Sequence, residues 1–141
     1  MTERLPSDHA TVESHRLHLE TVGRTGRPRV PLPEGVEAAD GDLLRLSLEG
    51  EDAHARVTAD LEGKPGLEGA YADRNLARSG DGENRLAAWV AEHDLSAGDA
   101  LLLDVVTAGY QYGLRRPGER VVYRAVDAPD DGLSDIAEKF G

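Results

Sequence analysis

Apolar residues recur at every second position through much of this chain, the period of a half-buried strand. In "RLHLETV" Leu17 and Leu19 share one face and His18 and Glu20 the other, and in "DLLRLSLEG" Leu44, Leu46 and Leu48 oppose Arg45 and Ser47. "AHARVTADL" alternates through Ala55, Val57, Ala59 and Leu61, and "EGED" supplies a turn through Gly50. Residues 42–61 therefore read as a hairpin. "SAGDALLLDVV" predicts a buried strand from about Ala100 to Thr107. "GYQYGLRR" and "ERVVYRAV" flank Pro117 and Gly118, which predicts that these two runs pair as a second hairpin. The period changes in "GENRLAAWVAEHDL", where Leu86, Trp89, Val90 and His93 recur at three- and four-residue spacing. That spacing predicts a helix over Asn84–His93 with Trp89 packed on the sheet. "DDGLSDIAEKFG" predicts a short C-terminal helix, capped by Asp131 or Ser134, with Ile136 and Phe140 on one face. Residues 1–11 are polar and read as loosely ordered, and in the glycine-rich segment 62–82 the run "AYADRNLARS" fits a short helix or an extended arm.

One small phrase occurs twice. "DGDLLRLSL" and "AGDALLLDV" each carry Gly-Asp before an apolar strand, at Gly41-Asp42 and Gly98-Asp99. Glycine supplies a positive φ and aspartate bonds the turn backbone, so the pair is a strand-entry device. Its repetition predicts two related β units that form a small barrel, with the two Gly-Asp turns in equivalent places. The fold class expected is mostly β (α+β), a small closed or partly open β-barrel of six or seven strands with one internal helix and a short C-terminal helix, in a single domain over residues 1–141.

Two stretches resemble known families. "PRVPLPEGVEAADGDLLRL" resembles the arginine, aliphatic, leucine-proline and Gly-Asp pattern of AbrB-like swapped-hairpin transcription factors, and "ENRLAAWVAEHDLSAGDALLLDV" resembles the tryptophan, leucine, Gly-Asp pattern of B3-like DNA-binding pseudobarrels. Across most of its length the chain is also similar to an uncharacterised haloarchaeal family, through "GENRLAAW" and "YGLRRPGER". The pseudobarrel resemblance covers about half the chain and implies a barrel that binds DNA through loops and strand edges. The near absence of lysine departs from that pattern.

Composition changes the picture in one direction. The net charge is −11, with 27 acidic against 16 basic residues, and all but Lys64 and Lys139 of the basic ones are arginine. Such a surface suits molar salt, where carboxylates stay hydrated and repulsion is screened to about 3 Å. This points to a halophilic, archaeal source, the alternative being an ordinary acidic protein of a GC-rich genome. There is no cysteine, and neither an apolar run of membrane-spanning length nor a signal-peptide pattern is present in the sequence, so a cytoplasmic location without membrane association is expected.

Against that acidic background two stretches are basic. Arg24, Arg27 and Arg29 in "GRTGRPRV" have no acid among them, and residues 109–124 hold four arginines against one glutamate. Arg74, Arg78 and Arg85 form a third group diluted by acids. A guanidinium holds phosphate with two hydrogen bonds, and such contacts persist in salt that abolishes long-range steering. Tyr110 and Tyr112, two apart, share a strand face and in a chain with six aromatics read first as core or barrel rim, with a stacking platform as the alternative. Arg115, Arg116 and Arg120 complete the candidate phosphate contacts, with Asn84 or the tyrosines at the bases. The competing reading is that the arginines pair with neighbouring carboxylates.

His15 and His18 are expected on opposite faces of a strand, which disfavours a metal site. No nucleophile elbow, phosphate loop or dinucleotide fingerprint occurs, and no cofactor is implied. The sequence thus predicts a non-catalytic nucleic-acid-binding protein, DNA before RNA, and leaves a homodimer open. The alternatives are a protein-interaction or assembly module for an acidic partner and, third, an enzyme acting on a phosphorylated small molecule. Convergence of Arg24, Arg27, Arg29, Arg115 and Arg116 on one surface is expected of the first reading.

Overall fold

In the computed structural model, which describes residues 3–36 and 38–125, strands form where the chain alternates. They are β1 (Glu3–Pro6), β2 (Glu13–His18), β3 (Glu20–Val22), β4 (Arg27–Pro31), β5 (Leu43–Leu48), β6 (Glu51–Ala59) and β7 (Pro65–Leu67). Two helices follow, α1 (Arg74–Ser79) and α2 (Arg85–Glu92), and then β8 (Ala100–Thr107), β9 (Gln111–Arg115) and β10 (Val122–Ala125). Ten strands are thus present among the described residues, where six or seven are expected. The short-helix alternative for residues 70–79 is the one realised, as α1. The expected C-terminal helix lies outside the described residues.

Eight strands form one sheet in the order β2-β8-β9-β5-β6-β7-β4-β3, antiparallel except for the parallel pair β5 and β9. The sheet curls into a half-barrel. Its two edge strands, β2 and β3, are separated in sequence by Leu19 alone, so the edges must meet at that residue. The concave side is filled by the predicted alternating residues, among them Leu17, Leu44, Leu46, Val57, Leu101 and Leu103, and by Leu86 and Trp89 of α2. Trp89 is 6% exposed, as its helical spacing requires.

The repeated phrase is repeated in space. Gly41 and Gly98 have φ of 96° and 94°, a conformation that costs glycine little. Asp42 Oδ2 accepts from Ala39 N–H at 2.9 Å, and Asp99 Oδ2 accepts from Ser96 N–H at 2.7 Å. Each turn then joins its neighbour in the same way. Gly41 N–H donates to Val57 O and Val57 N–H to Asp42 O, both at 2.8 Å, while Gly98 N–H donates to Leu19 O at 2.8 Å and Leu19 N–H to Asp99 O at 2.9 Å. The two Gly-Asp turns therefore start equivalent strands, β5 and β8.

The first hairpin forms as expected, β5 and β6 pairing Leu48 with Glu51 around the two-residue turn Glu49-Gly50. The second does not. β9 pairs with β8 and with β5, and β10 pairs with β1 instead, in register from Pro6↔Val122 to Glu3↔Ala125. Both runs alternate, so the pattern marks two strands, but Pro117-Gly118 turns the chain out of the sheet instead of folding it back alongside. Tyr123 lies over Gly113, where an added Cβ would run into the ring, and Gln111 Nε2 donates to Arg124 O at 2.8 Å, so β10 faces β9 as a second layer. The same pairing orders the start of the chain. β1, read from sequence as loose, is a strand whose Leu5 is buried.

Candidate functional site: an arginine-lined groove

The basic stretch that dominates the sequence is held by acids from elsewhere in the chain. Arg115 donates from Nε to Asp104 Oδ2 at 2.7 Å, from Nη1 to Glu119 O at 2.9 Å and from Nη2 to Asp104 Oδ1 at 3.3 Å. Asp104 is wholly buried and also accepts from Ser14 Oγ and, at 2.5 Å, from the Tyr123 hydroxyl. Burial and the bond to Asp104 push the Tyr123 phenol far above its ordinary range, and the hydrogen bond that Arg115 donates to Asp104 holds the guanidinium more firmly charged. Arg116 grips Glu49 with both Nε (2.7 Å) and Nη2 (3.0 Å). Burial alone would raise Glu49, but the Arg116 side-chain and backbone bonds and its charge outweigh it, so Glu49 sits below its usual value. Arg120 reaches Asp8 at 3.2 Å.

The tyrosine platform does not form. Tyr112 is 1% exposed and its hydroxyl accepts the Gly109 N–H at 2.7 Å, while Tyr110 precedes β9 in the turn. Asn84 is likewise committed to structure. It caps α2, its Oδ1 accepting from Leu86, Ala87 and Ala70 N–H groups and its Nδ2 donating to Glu68 O at 3.1 Å. Arg85, at the first position of α2, donates to Asp52 O at 3.3 Å.

The first arginine group divides. Arg29 is 2% exposed and binds Glu68 Oε2 at 2.7 Å, Thr58 Oγ1 and O, and Lys64 O at 2.8 Å, which fastens β4 to the loop between β6 and β7. Arg27, on the exposed side of β4, takes the other oxygen of the same carboxylate, Glu68 Oε1, at 2.9 Å. Arg24 is exposed in the turn before β4. β4 and β9 are separated by β5, β6 and β7 in the sheet, and the two groups share no carboxylate, so the five arginines expected on one surface are held at two places.

Arg27 instead joins Arg78 of the third arginine group and residues that sequence reasoning did not single out, Arg56, Glu68 and Tyr71. A groove of about 220 Å³ lies between β6, β7 and α1, lined by Arg27, Arg56 and Arg78, by Glu68, and by Tyr71 beside Gly69. Three features of the local sequence build it. On β6 the period of two buries Ala55 and Val57 and turns His54, Arg56 and Thr58 outward. Asp73 caps α1 by accepting from Leu76 N–H at 2.8 Å, which sets Arg78 in the last helical turn. Arg56 Nη1 then donates to Arg78 O at 3.4 Å, tying helix to strand. Among the described residues no carboxylate lies within ion-pair distance of Arg56 or Arg78, and the only acid lining the groove, Glu68, is shared with buried Arg29. Next to the groove His54, whose backbone pairs with Tyr71, is pushed below its usual value, first by burial and then by the charges of Arg45 and Arg74. An uncompensated cationic groove of this kind can hold an anion. No group of histidine and acidic side chains suited to a metal ion occurs among the described residues.

No helix among the described residues is long and apolar enough to cross a membrane. No curated protein and no solved structure matches the chain. One family model does match, over residues 1–140, and the chain belongs to that family, a family of unknown function (DUF7112).

Proposed function

We propose that this protein is a non-catalytic nucleic-acid-binding module of a halophile, and that its contact surface is the groove between β6, β7 and α1. The observation that carries this reading is an imbalance of charge. Arg27, Arg56 and Arg78 line one groove with a single carboxylate, whereas Arg115, Arg116 and Arg120 each hold a carboxylate of their own. A planar guanidinium with free N–H groups suits a phosphate oxygen pair, and contacts of that type persist at high ionic strength. The acidic remainder of the surface supports a saline setting, in which net charge is a solvation device and local patches decide binding.

Titration of labelled DNA and RNA between about 0.2 and 2 M KCl tests the reading, because each phosphate contact released contributes about 0.7 to 0.9 to the salt slope. Binding with such a slope, weakened in Arg56→Ala and unchanged in Arg116→Ala, supports it. Absence of binding at the lowest salt that keeps the fold overturns it and gives the groove to the carboxylates of an acidic protein partner.

A further inference from the structure

The shape of the groove, added to the reading above on which it rests, narrows the class of nucleic acid. We infer that it takes a single strand, one unpaired nucleotide at a time, with a base against Tyr71 and its phosphate on Arg27, Arg56 and Arg78.

Three observations converge on this. The site is a concave groove of about 220 Å³ lined by three arginines, whereas a duplex is read by a protruding helix or ribbon that enters a groove of its own. Among the described residues neither helix protrudes in that way. α1 has six residues and packs its buried Ala77 toward β6, and α2 is committed to the core through Leu86 and Trp89. The aromatic residue is also fixed in place. The Tyr71 ring lies against Gly69, where an added Cβ would meet its hydroxyl at 2.8 Å and Cε1 at 2.9 Å. Its backbone is pinned to β6 by reciprocal 2.8 Å hydrogen bonds with His54. A ring held by the backbone on one side and bordering a groove with three guanidinium groups is the pairing of stacking surface and phosphate clamp that single-strand binders use.

Fluorescence anisotropy on the full chain with labelled oligothymidylate, oligouridylate and a DNA duplex of the same length decides the matter. The single strands are expected to bind about tenfold tighter than the duplex. Tyr71→Leu should lose about tenfold on single strands while leaving duplex binding unchanged, and Tyr71→Phe should retain the wild-type preference. The oligothymidylate and oligouridylate arms separate DNA from RNA. Equal or tighter binding of the duplex by the wild type, a comparison that needs no variant to fold, overturns the inference. So does wild-type affinity of Tyr71→Leu for single strands. In both cases a loss of affinity in Arg56→Ala would leave the nucleic-acid reading standing, whereas failure of all three probes to bind overturns the reading and the inference together.

Discussion

The stretch 109–124 and the groove around Arg56 invert their sequence-level appearance. The first concentrates four arginines in sixteen residues, and three of them are matched by Asp104, Glu49 and Asp8, which lie far off in sequence or across a turn. The second draws one arginine each from β4, β6 and α1, only Arg27 of them from a basic run, and leaves them with one shared acid. Linear charge density is thus a poor measure of local field. What counts is which carboxylates the fold brings within about 4 Å, since Coulomb attraction in a partly desolvated site grows several-fold over its value in water.

The largest effect expected from this contrast is on stability. Asp104→Ala removes the acceptor of three side chains and strands the Arg115 guanidinium, and should cost about 3–5 kcal/mol in chemical denaturation. Gly113→Ala should be comparably harmful, because the Tyr123 ring occupies the space of the new Cβ. If either variant melts like the wild type, the basic stretch is not structural.

Salt comes next. With 27 acids against 16 bases, the fold should loosen in dilute neutral buffer and regain its circular dichroism in molar KCl as repulsion is screened. Asp104→Ala should need more KCl to fold than the wild type, whereas Arg56→Ala should not. A spectrum unchanged from low to molar KCl removes the halophilic premise.

The groove should give smaller, functional effects. The Arg56→Ala, Arg78→Ala double variant is expected to lose about 1–3 kcal/mol of nucleic-acid affinity per charged bond removed, with near-wild-type stability. Arg116→Ala should do the reverse, costing a small amount of stability and no affinity. Equal binding by both variants would erase the distinction between the two regions.

The finest test is titration. Because Glu49 is held below its ordinary 4.5, the Glu49–Arg116 pair stabilises the fold fully above that pH, and its contribution is lost as pH falls through the depressed native value. Arg116→Ala should therefore flatten the acid limb of the stability curve. His54 is depressed from 6.5 in part by neighbouring arginines, so an anion in the groove should move its NMR-detected pKa upward. An unmoved His54 with saturating nucleic acid would place the ligand elsewhere.

Most strands, the α2 helix with Trp89 inward, the β5–β6 hairpin and the equivalence of the two Gly-Asp turns were legible in the chain, because periodicity, capping and turn chemistry are local, whereas β1 and β7, too short to show a period, were not. Partner choice was not. That β10 joins β1 and not β9, and that Tyr112 faces the core, depends on competition among strands with equally good alternation, which a period of two cannot rank. The groove was hidden for the same reason. The outward position of Arg56 follows from the alternation of β6, and Tyr71 sits visibly among glycines, but nothing local says that α1 will fold over β6 beside them. Sequence alone therefore determined the alternating strands, the α2 helix and the Gly-Asp turns, and how many charges the chain carries. Only the tertiary structure decided which of those charges cancel, because an ion pair is set by distance in space, and Arg115 meets Asp104, while Arg56 meets no acid among the described residues, only after eight strands have chosen their neighbours.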